Sequence, residues 1–282
     1  ILIMNKPVYF DYNAATPVDP RVLEAMLPYL KEDFGNPSSV NHSYGWDADN
    51  ACKKARSQVA ALIGCQPKEV YFTSGATESN NLVIQGVTRL HGMRDEKIHI
   101  ITTSAEHKAV LDVALQMKTN GAEVTVLDVD RDGRVSREQV ERALLPHTRL
   151  VSVIHGNNEV GSLNPVSEIG ELCRSRNILF HTDAAQTLGK VPVDLKSIDL
   201  LSSSGQKMYG PKGVGLLYVR EEIRDRIAPI LFGGSQERSL RPGTLNVASI
   251  VAIGECCRIF QAEMKDECAR LSKMRDRLIE SA

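Results

Sequence analysis

Four short polar clusters follow apolar runs, each where a strand would hand over to a turn or a helix. The first is Thr73-Ser74-Gly75-Ala76-Thr77-Glu78. Its small residues leave backbone N–H groups free to close on an anion at a helix N-terminus, which suits a phosphate. Ser74 or Thr77 as a plain N-cap, with Glu78 in the first turn, accounts for the same residues equally well. The second is His181-Thr182-Asp183-Ala184-Ala185-Gln186, which puts a carboxylate at the end of the apolar Ile178-Leu179-Phe180 run. A buried carboxylate there needs a cation or hydrogen-bond donors. The third, Ser202-Ser203-Ser204-Gly205-Gln206-Lys207, ends in a lysine that burial and neighbouring cations would lower in pKa and make nucleophilic. The fourth, Ser104-Ala105-Glu106-His107, offers an imidazole able to stack on a planar ligand or move a proton. Taken singly, each is equally a solvated charge or a histidine satisfied in place.

Such clusters act together only if their strands end in one plane. Apolar runs predict strands at Glu69–Thr73, Ile98–Thr102, Glu123–Leu127, Leu150–Ile154, Ile178–His181, Leu200–Ser203 and Val214–Val219. Helix-period segments near Thr77–Leu90, Lys108–Thr119, Arg137–Leu145 and Val166–Arg176 alternate with them. The alternation predicts an α/β fold with a mostly parallel seven-stranded sheet flanked by helices, whose ligands sit beyond the carboxyl ends of the strands. Ahead of the sheet, Pro20 opens a helix through Tyr29, and Trp46–Ile63 reads as a second helix. From Ile250 to Leu278, apolar residues recur at helical spacing and predict one long amphipathic helix, bent once. That helix either packs on its own domain or is a stem leading to a partner subunit or a second domain.

Composition narrows the function classes. The 282 residues are 42% hydrophobic and 24% charged, which excludes a disordered chain or a disulfide-dense miniature. Lys plus Arg number 34 against 35 Asp plus Glu, so no nucleic-acid partner is expected. No apolar run is long enough for a bilayer, and Ile1-Leu2-Ile3-Met4 is too short for a secretory segment, so an unexported, cytoplasmic protein is expected. Six cysteines without C-x-x-C spacing argue against a structural zinc site, and no metal is expected.

A phosphate cradle, an aromatic stacker, a strand-end Asp183 and a strand-end Lys207 24 residues later are the parts needed to hold pyridoxal phosphate. At these residues the sequence resembles the class V, fold-type I pyridoxal-phosphate enzymes of the cysteine desulfurase and selenocysteine lyase family. Further matches are Asp11-Tyr12-Asn13-Ala14 with Thr16-Pro17, Phe34-Gly35-Asn36-Pro37-Ser38-Ser39, Asn157-Asn158-Glu159-Val160-Gly161, Gly233-Gly234-Ser235-Gln236-Glu237-Arg238 and Arg241-Pro242-Gly243-Thr244. The resemblance covers nearly the whole chain.

It implies that Lys207 binds the cofactor covalently and shuttles the Cα proton, that Asp183 pairs with the pyridinium nitrogen, and that His107 stacks on the ring and transfers protons. Gln186 would bond the phenolate oxygen, with Asn158 on the substrate side. Ala76, Thr77, Ser204 and Gln206 would hold the phosphate, and Thr244 would reach the phosphate of a second subunit, implying a homodimer. Residues 1–17 would be an N-terminal segment, 18–248 the cofactor-binding domain and 249–282 a helix leading to a small domain largely absent from this chain. The implied reaction turns L-cysteine into L-alanine and a persulfide, serving a sulfur acceptor or an iron–sulfur scaffold protein.

The sequence departs from the family's pattern in three places. Gln206 stands where many relatives have His, and Ala15 replaces a common Thr. The nucleophilic cysteine and substrate-anchoring arginine of the small domain have no counterpart; Cys256 and Cys257 fall inside a predicted helix. Three further readings therefore stand beside the first: a selenocysteine lyase, a non-catalytic cofactor-binding scaffold, and an aminotransferase or carbon–sulfur lyase that needs no cysteine.

Overall fold

The computed structural model describes residues 7–281, so the Ile1–Met4 run lies outside the described residues. Helix α1, Pro20–Met26, begins where the Asp19 carboxylate accepts the Arg21 N–H at 2.8 Å. The single helix expected through Tyr29 is divided, because Pro28 has no N–H to continue the ladder and opens a separate α2, Pro28–Lys31. Helix α3, Ser43–Ile63, starts earlier than the apolar pattern suggests because the His42 ring accepts the Gly45 N–H. Gly64, in the left-handed region at φ 77°, closes it.

Seven strands form one sheet among the described residues: β1 Val70–Thr73, β2 His99–Thr103, β3 Glu123–Leu127, β4 Thr148–Ser152, β5 Leu179–Asp183, β6 Leu200–Ser204 and β7 Gly215–Val219. Their order is β1-β7-β6-β5-β4-β2-β3. Only β7 runs against its neighbours; the remaining pairs are parallel. Because β7 reverses the direction twice, β1 points the same way as β6 and delivers its carboxyl end to the common edge. The connecting helices are α4 Ala76–Gly92, α5 Lys108–Thr119, α6 Arg137–Ala143 and α7 Val166–Ser175.

The period of two along each strand sorts the core into two layers. Ile100, Leu150, Leu179, Leu200 and Leu217 pack with α4 and α5, while Ile101, Val151, Phe180, Leu201 and Leu216 face α3, α7 and the first half of α8. Strands β5 and β6 run further than their apolar residues suggest. The His181 ring lies 2.8 Å from Ser152 Oγ and 2.9 Å from Ser202 Oγ, a polar rung of three fully buried side chains across β4, β5 and β6. Burial pushes this imidazole down to about 3, so the rung is uncharged.

Helix α8 spans Val247–Ser281 as one continuous element of 35 residues. Through Phe260 it belongs to the core; beyond that Leu271, Met274 and Leu278 are exposed. Gly254 sets its approach to α3, since an added Cβ would stand 2.6 Å from Ala55 Cα and 2.7 Å from Ala55 Cβ. Gly254→Ala is expected to push the two helices apart and destabilise the fold by about 2 kcal/mol, as overpacking usually does. Chemical denaturation checks this value, and an unchanged midpoint would show that the helices separate freely.

Candidate active site

The carboxyl ends of β1, β2, β4, β5 and β6 enclose a cleft of about 750 Å³. Eight of the ten residues expected at the site line it: Ala76, Thr77, His107, Asn158, Asp183, Ser204, Gln206 and Lys207. Gln186 adjoins it, its Nε2 donating at 2.9 Å to the Asn13 carbonyl, itself part of the wall. Thr244 lies elsewhere, in a small neighbouring cavity with Ser74 and Arg241.

Asp183 ends β5 and is 3% exposed. Its Oδ2 accepts from Asn80 Nδ2 at 2.8 Å and its Oδ1 from the Ala185 N–H at 2.9 Å, the donors that a buried carboxylate requires. Burial pushes its pKa up, against the opposing pull of those donors and of His107 and Lys207. Asn80 has its other amide atom, Oδ1, buried without a partner among the described residues. Its role escapes sequence reading, for it lies 103 positions from Asp183 and only the fold brings the two together.

Lys207 follows β6 on the single turn Gly205–Lys207. Its Nζ donates to the carbonyls of Asn13 and, at 2.8 Å, of Ala14, so the N-terminal segment forms one wall of the cleft. Thr16 fastens that wall by donating its N–H and its hydroxyl to the Gln206 carbonyl, each at 3.0 Å. Burial lowers the Lys207 pKa, while Asp11 and Asp183 pull it back.

The reading of Ser74 or Thr77 as a plain N-cap is corrected here. The N-cap of α4 is Gly75, with no side-chain acceptor, and the Ala76 and Thr77 N–H groups find no acceptor among the described residues. An uncapped N-terminus of a 17-residue helix at the cleft is a place for an anion. Gly215 permits this arrangement, because a Cβ on it would come within 2.5 Å of the Gly75 backbone. Glu78 accepts the Ser74 N–H at 2.7 Å and an Arg241 Nε bond at 2.7 Å. Burial alone would raise this carboxyl, but those two partners hold it below its ordinary range. His107 caps α5, its Nδ1 accepting the Ala109 N–H at 3.1 Å.

Uncapped phosphate-sized N–H groups, a buried carboxylate, an imidazole and an amine around one cleft fit pyridoxal phosphate. None of the six cysteines lines it. Burial pushes the Cys52, Cys65 and Cys256 thiols up to about 12 and those of Cys173 and Cys257 up as well. Among the described residues no group of three His, Cys, Asp or Glu could hold a metal ion, and no helix is long and apolar enough to cross a membrane.

Comparison with known proteins follows the same line. The family described as aminotransferase class V matches residues 8–281. A mitochondrial cysteine desulfurase of Arthroderma benhamiae is 52% identical over 279 residues, covering 98% of this chain and 56% of that protein. The cysteine desulfurase IscS of Dechloromonas aromatica is 50% identical over 280 residues, covering 99% of this chain and 69% of that protein. Thus the chain spans a little over half the length of the first relative and about two thirds of the second. A solved NifS-like protein superposes with a TM-score of 0.92 at 41% identity, covering 97% of this chain and 74% of that one. A structure of SspA in complex with cysteine gives a TM-score of 0.85 at 43% identity, covering 88% and 72% respectively.

Proposed function

The chain belongs to the cysteine desulfurase branch of the class V aminotransferase family, whose members depend on pyridoxal phosphate, and from that premise we propose that it binds this cofactor and acts on L-cysteine. In the proposed reaction the carbon–sulfur bond breaks, L-alanine leaves and the sulfur passes to a cysteine thiol as a persulfide. The observation that carries the reading is the convergence of Lys207, Asp183, His107 and the uncapped α4 N-terminus on one cleft. When bound, pyridoxal phosphate supplies an electron sink for the pair left at the substrate Cα.

The residues divide the remaining work. The Ala76 and Thr77 N–H groups, with Ser204 and Gln206, would hold the phosphate. Asp183 would hold a proton at the ring nitrogen, aided by Asn80. His107 would lie against the ring, Gln186 would bond the phenolate oxygen and Asn158 would face the substrate. Lys207, its amine depressed by burial, would take and return the Cα proton. The same proposal makes residues 18–248 the cofactor-binding domain, 1–17 its N-terminal segment and 249–282 the helix toward a small domain.

Thr244, lying outside this cleft, supports a site completed across a homodimer in which it reaches a second subunit's phosphate. The thiol that accepts sulfur has to come from elsewhere than the cleft lining, which leaves a place for a sulfur acceptor or an iron–sulfur scaffold protein. That same lack of a lining thiol favours, as a second reading, a cofactor-binding scaffold without turnover. Selenocysteine suits the same cleft, and a reducing cytoplasmic setting suits the free thiols.

Reconstitution with pyridoxal phosphate tests the proposal. The expected result is a visible absorption band that survives desalting and shifts when L-cysteine is added. A band indifferent to L-cysteine would reject the substrate, and alanine release without any added thiol would reject the scaffold reading.

A further inference from the structure

Glu106 is a buried carboxyl that the chemistry above does not use. It is 8% exposed and lies in the turn between β2 and α5, next to His107. One oxygen, Oε1, accepts both the Ile154 N–H at 2.8 Å and the Thr103 hydroxyl at 2.9 Å. The other, Oε2, is buried and has no partner among the described residues. Ile154 lies in the cleft wall just beyond β4, so the Oε1 bonds tie the end of β2 to the floor of the site.

The rest of the turn is pinned as closely. The Ser104 N–H donates to the Leu127 carbonyl of β3 at 2.9 Å, and Asn157 Nδ2 donates to the Ala105 carbonyl at 2.8 Å. What leaves this turn is His107, whose Nδ1 is committed to the Ala109 N–H, so that a neutral ring carries its proton on Nε2. The position and tautomer of that ring therefore depend on where the turn is held.

We propose that Glu106 is a positioning residue, which pins the β2–α5 turn through Ile154 and Thr103 and thereby fixes the His107 ring at the cleft. The carboxyl does this in its neutral form. An anion with one oxygen sealed from any donor is a poorer occupant of this place than an acid. Burial pushes Glu106 up to about 8, and the charge of Asp183 on β5 works in the same direction, against the two Oε1 donors. A glutamine at this position keeps the acceptor and cannot ionise, whereas an aspartate keeps the acid but falls short of Ile154.

So far as His107 meets pyridoxal phosphate, the inference rests on the function proposed above, and the test separates the two. In the cofactor-free chain, imidazole nitrogen NMR is expected to show one His107 tautomer, Nε2–H, in wild type and Glu106→Gln, and exchange between tautomers in Glu106→Asp. Should the aspartate variant unfold, Thr103→Val removes one donor at constant volume and is read in the same way. With pyridoxal phosphate as probe, Glu106→Asp is expected to weaken binding about tenfold when His107 is present and less than twofold in a His107→Ala background, the non-additivity of two residues that act as one unit. Unchanged ring signals in Glu106→Asp, exchange in Glu106→Gln, or equal loss of affinity in both backgrounds would overturn the proposal. A wild-type chain that retains no cofactor counts against the function proposed above, while the ring signals still decide the role of Glu106.

Discussion

Lys207→Ala is expected to abolish retention of pyridoxal phosphate through desalting and to weaken its equilibrium binding by about a hundredfold, or roughly 2.7 kcal/mol. Among the described residues no other amine or thiol lines the cleft, and a phosphate cradle alone would leave the cofactor exchangeable. Folding should respond in the opposite sense. The lysine ammonium is partly desolvated, and its pKa is depressed relative to the unfolded chain. A folded-state pKa below the unfolded one means that the native state binds fewer protons, so this group opposes folding at neutral pH and stops doing so as pH rises through the unfolded lysine range. Its acceptors, the Asn13 and Ala14 carbonyls, belong to the exposed N-terminal segment and return to water when the amine is removed. The cofactor-free variant is therefore expected to melt at or slightly above the wild-type temperature. Visible absorbance after gel filtration measures the first effect and calorimetry the second. A visible band that survives unchanged would remove Lys207 from its assigned role.

The largest loss of stability is expected from Arg56→Ala. Glu237, with 1% of its side chain exposed, is met by Arg56 Nη1 at 2.9 Å and Nη2 at 2.5 Å, and it also accepts the Phe72 N–H at 2.8 Å. Glu237, Arg238 and Ser239 all have positive φ, at 44°, 54° and 61°. Three successive side-chain-bearing residues in the left-handed region persist only where their surroundings hold them. Arg56 is that hold, together with Arg238, which donates to the Val70 carbonyl at 2.7 Å and lies 3.9 Å over the Tyr71 ring. Truncating Arg56 leaves a sealed carboxylate without its cation, a change that costs about 3–5 kcal/mol. Urea denaturation monitored by circular dichroism measures it. Arg56→Lys should recover only part of the loss, because an ammonium cannot match the two-pronged contact. A loss below about 1 kcal/mol, the scale of an exposed pair, would show that water reaches Glu237.

These two sites mark what is legible in a sequence and what is not. Lys207, Asp183, His107 and the Gly75 cradle each follow an apolar run, and that position marks them as candidates, since strand ends collect ligand chemistry in this class of fold. Strand β3 matches its predicted span at both ends, and α8 extends its predicted span by three residues at each end. Elsewhere polarity misleads. Hydropathy stops β5 at His181 and β6 at Ser203, yet both continue, because the Thr182 hydroxyl donates to the Val153 carbonyl, Asp183 is met by Asn80 and the Ala185 N–H, and Ser204 pairs with Gly215 of β7. Pro28 divides a helix whose apolar spacing is otherwise unbroken. Partnerships such as Asn80 with Asp183, Glu106 with Ile154 and Arg56 with Glu237 span 103, 48 and 181 positions. No local pattern encodes a pair like these; each exists because segments far apart in the chain meet in the fold.

Helix α8 can also be read as a mechanical part. At about 1.5 Å per residue it is a rod roughly 50 Å long. Its near end is clamped in the core as far as Phe260, and Cys268 Sγ touches the Lys190 carbonyl at 2.7 Å. Arg21 also pairs with Glu263, so the exposed arm runs from Cys268 to Ser281, about 20 Å, and a tilt of about 10° at Cys268 moves its tip by about 3 Å. The fit of α3 around Gly254 thus sets the direction along which the exposed Leu271, Met274 and Leu278 are carried.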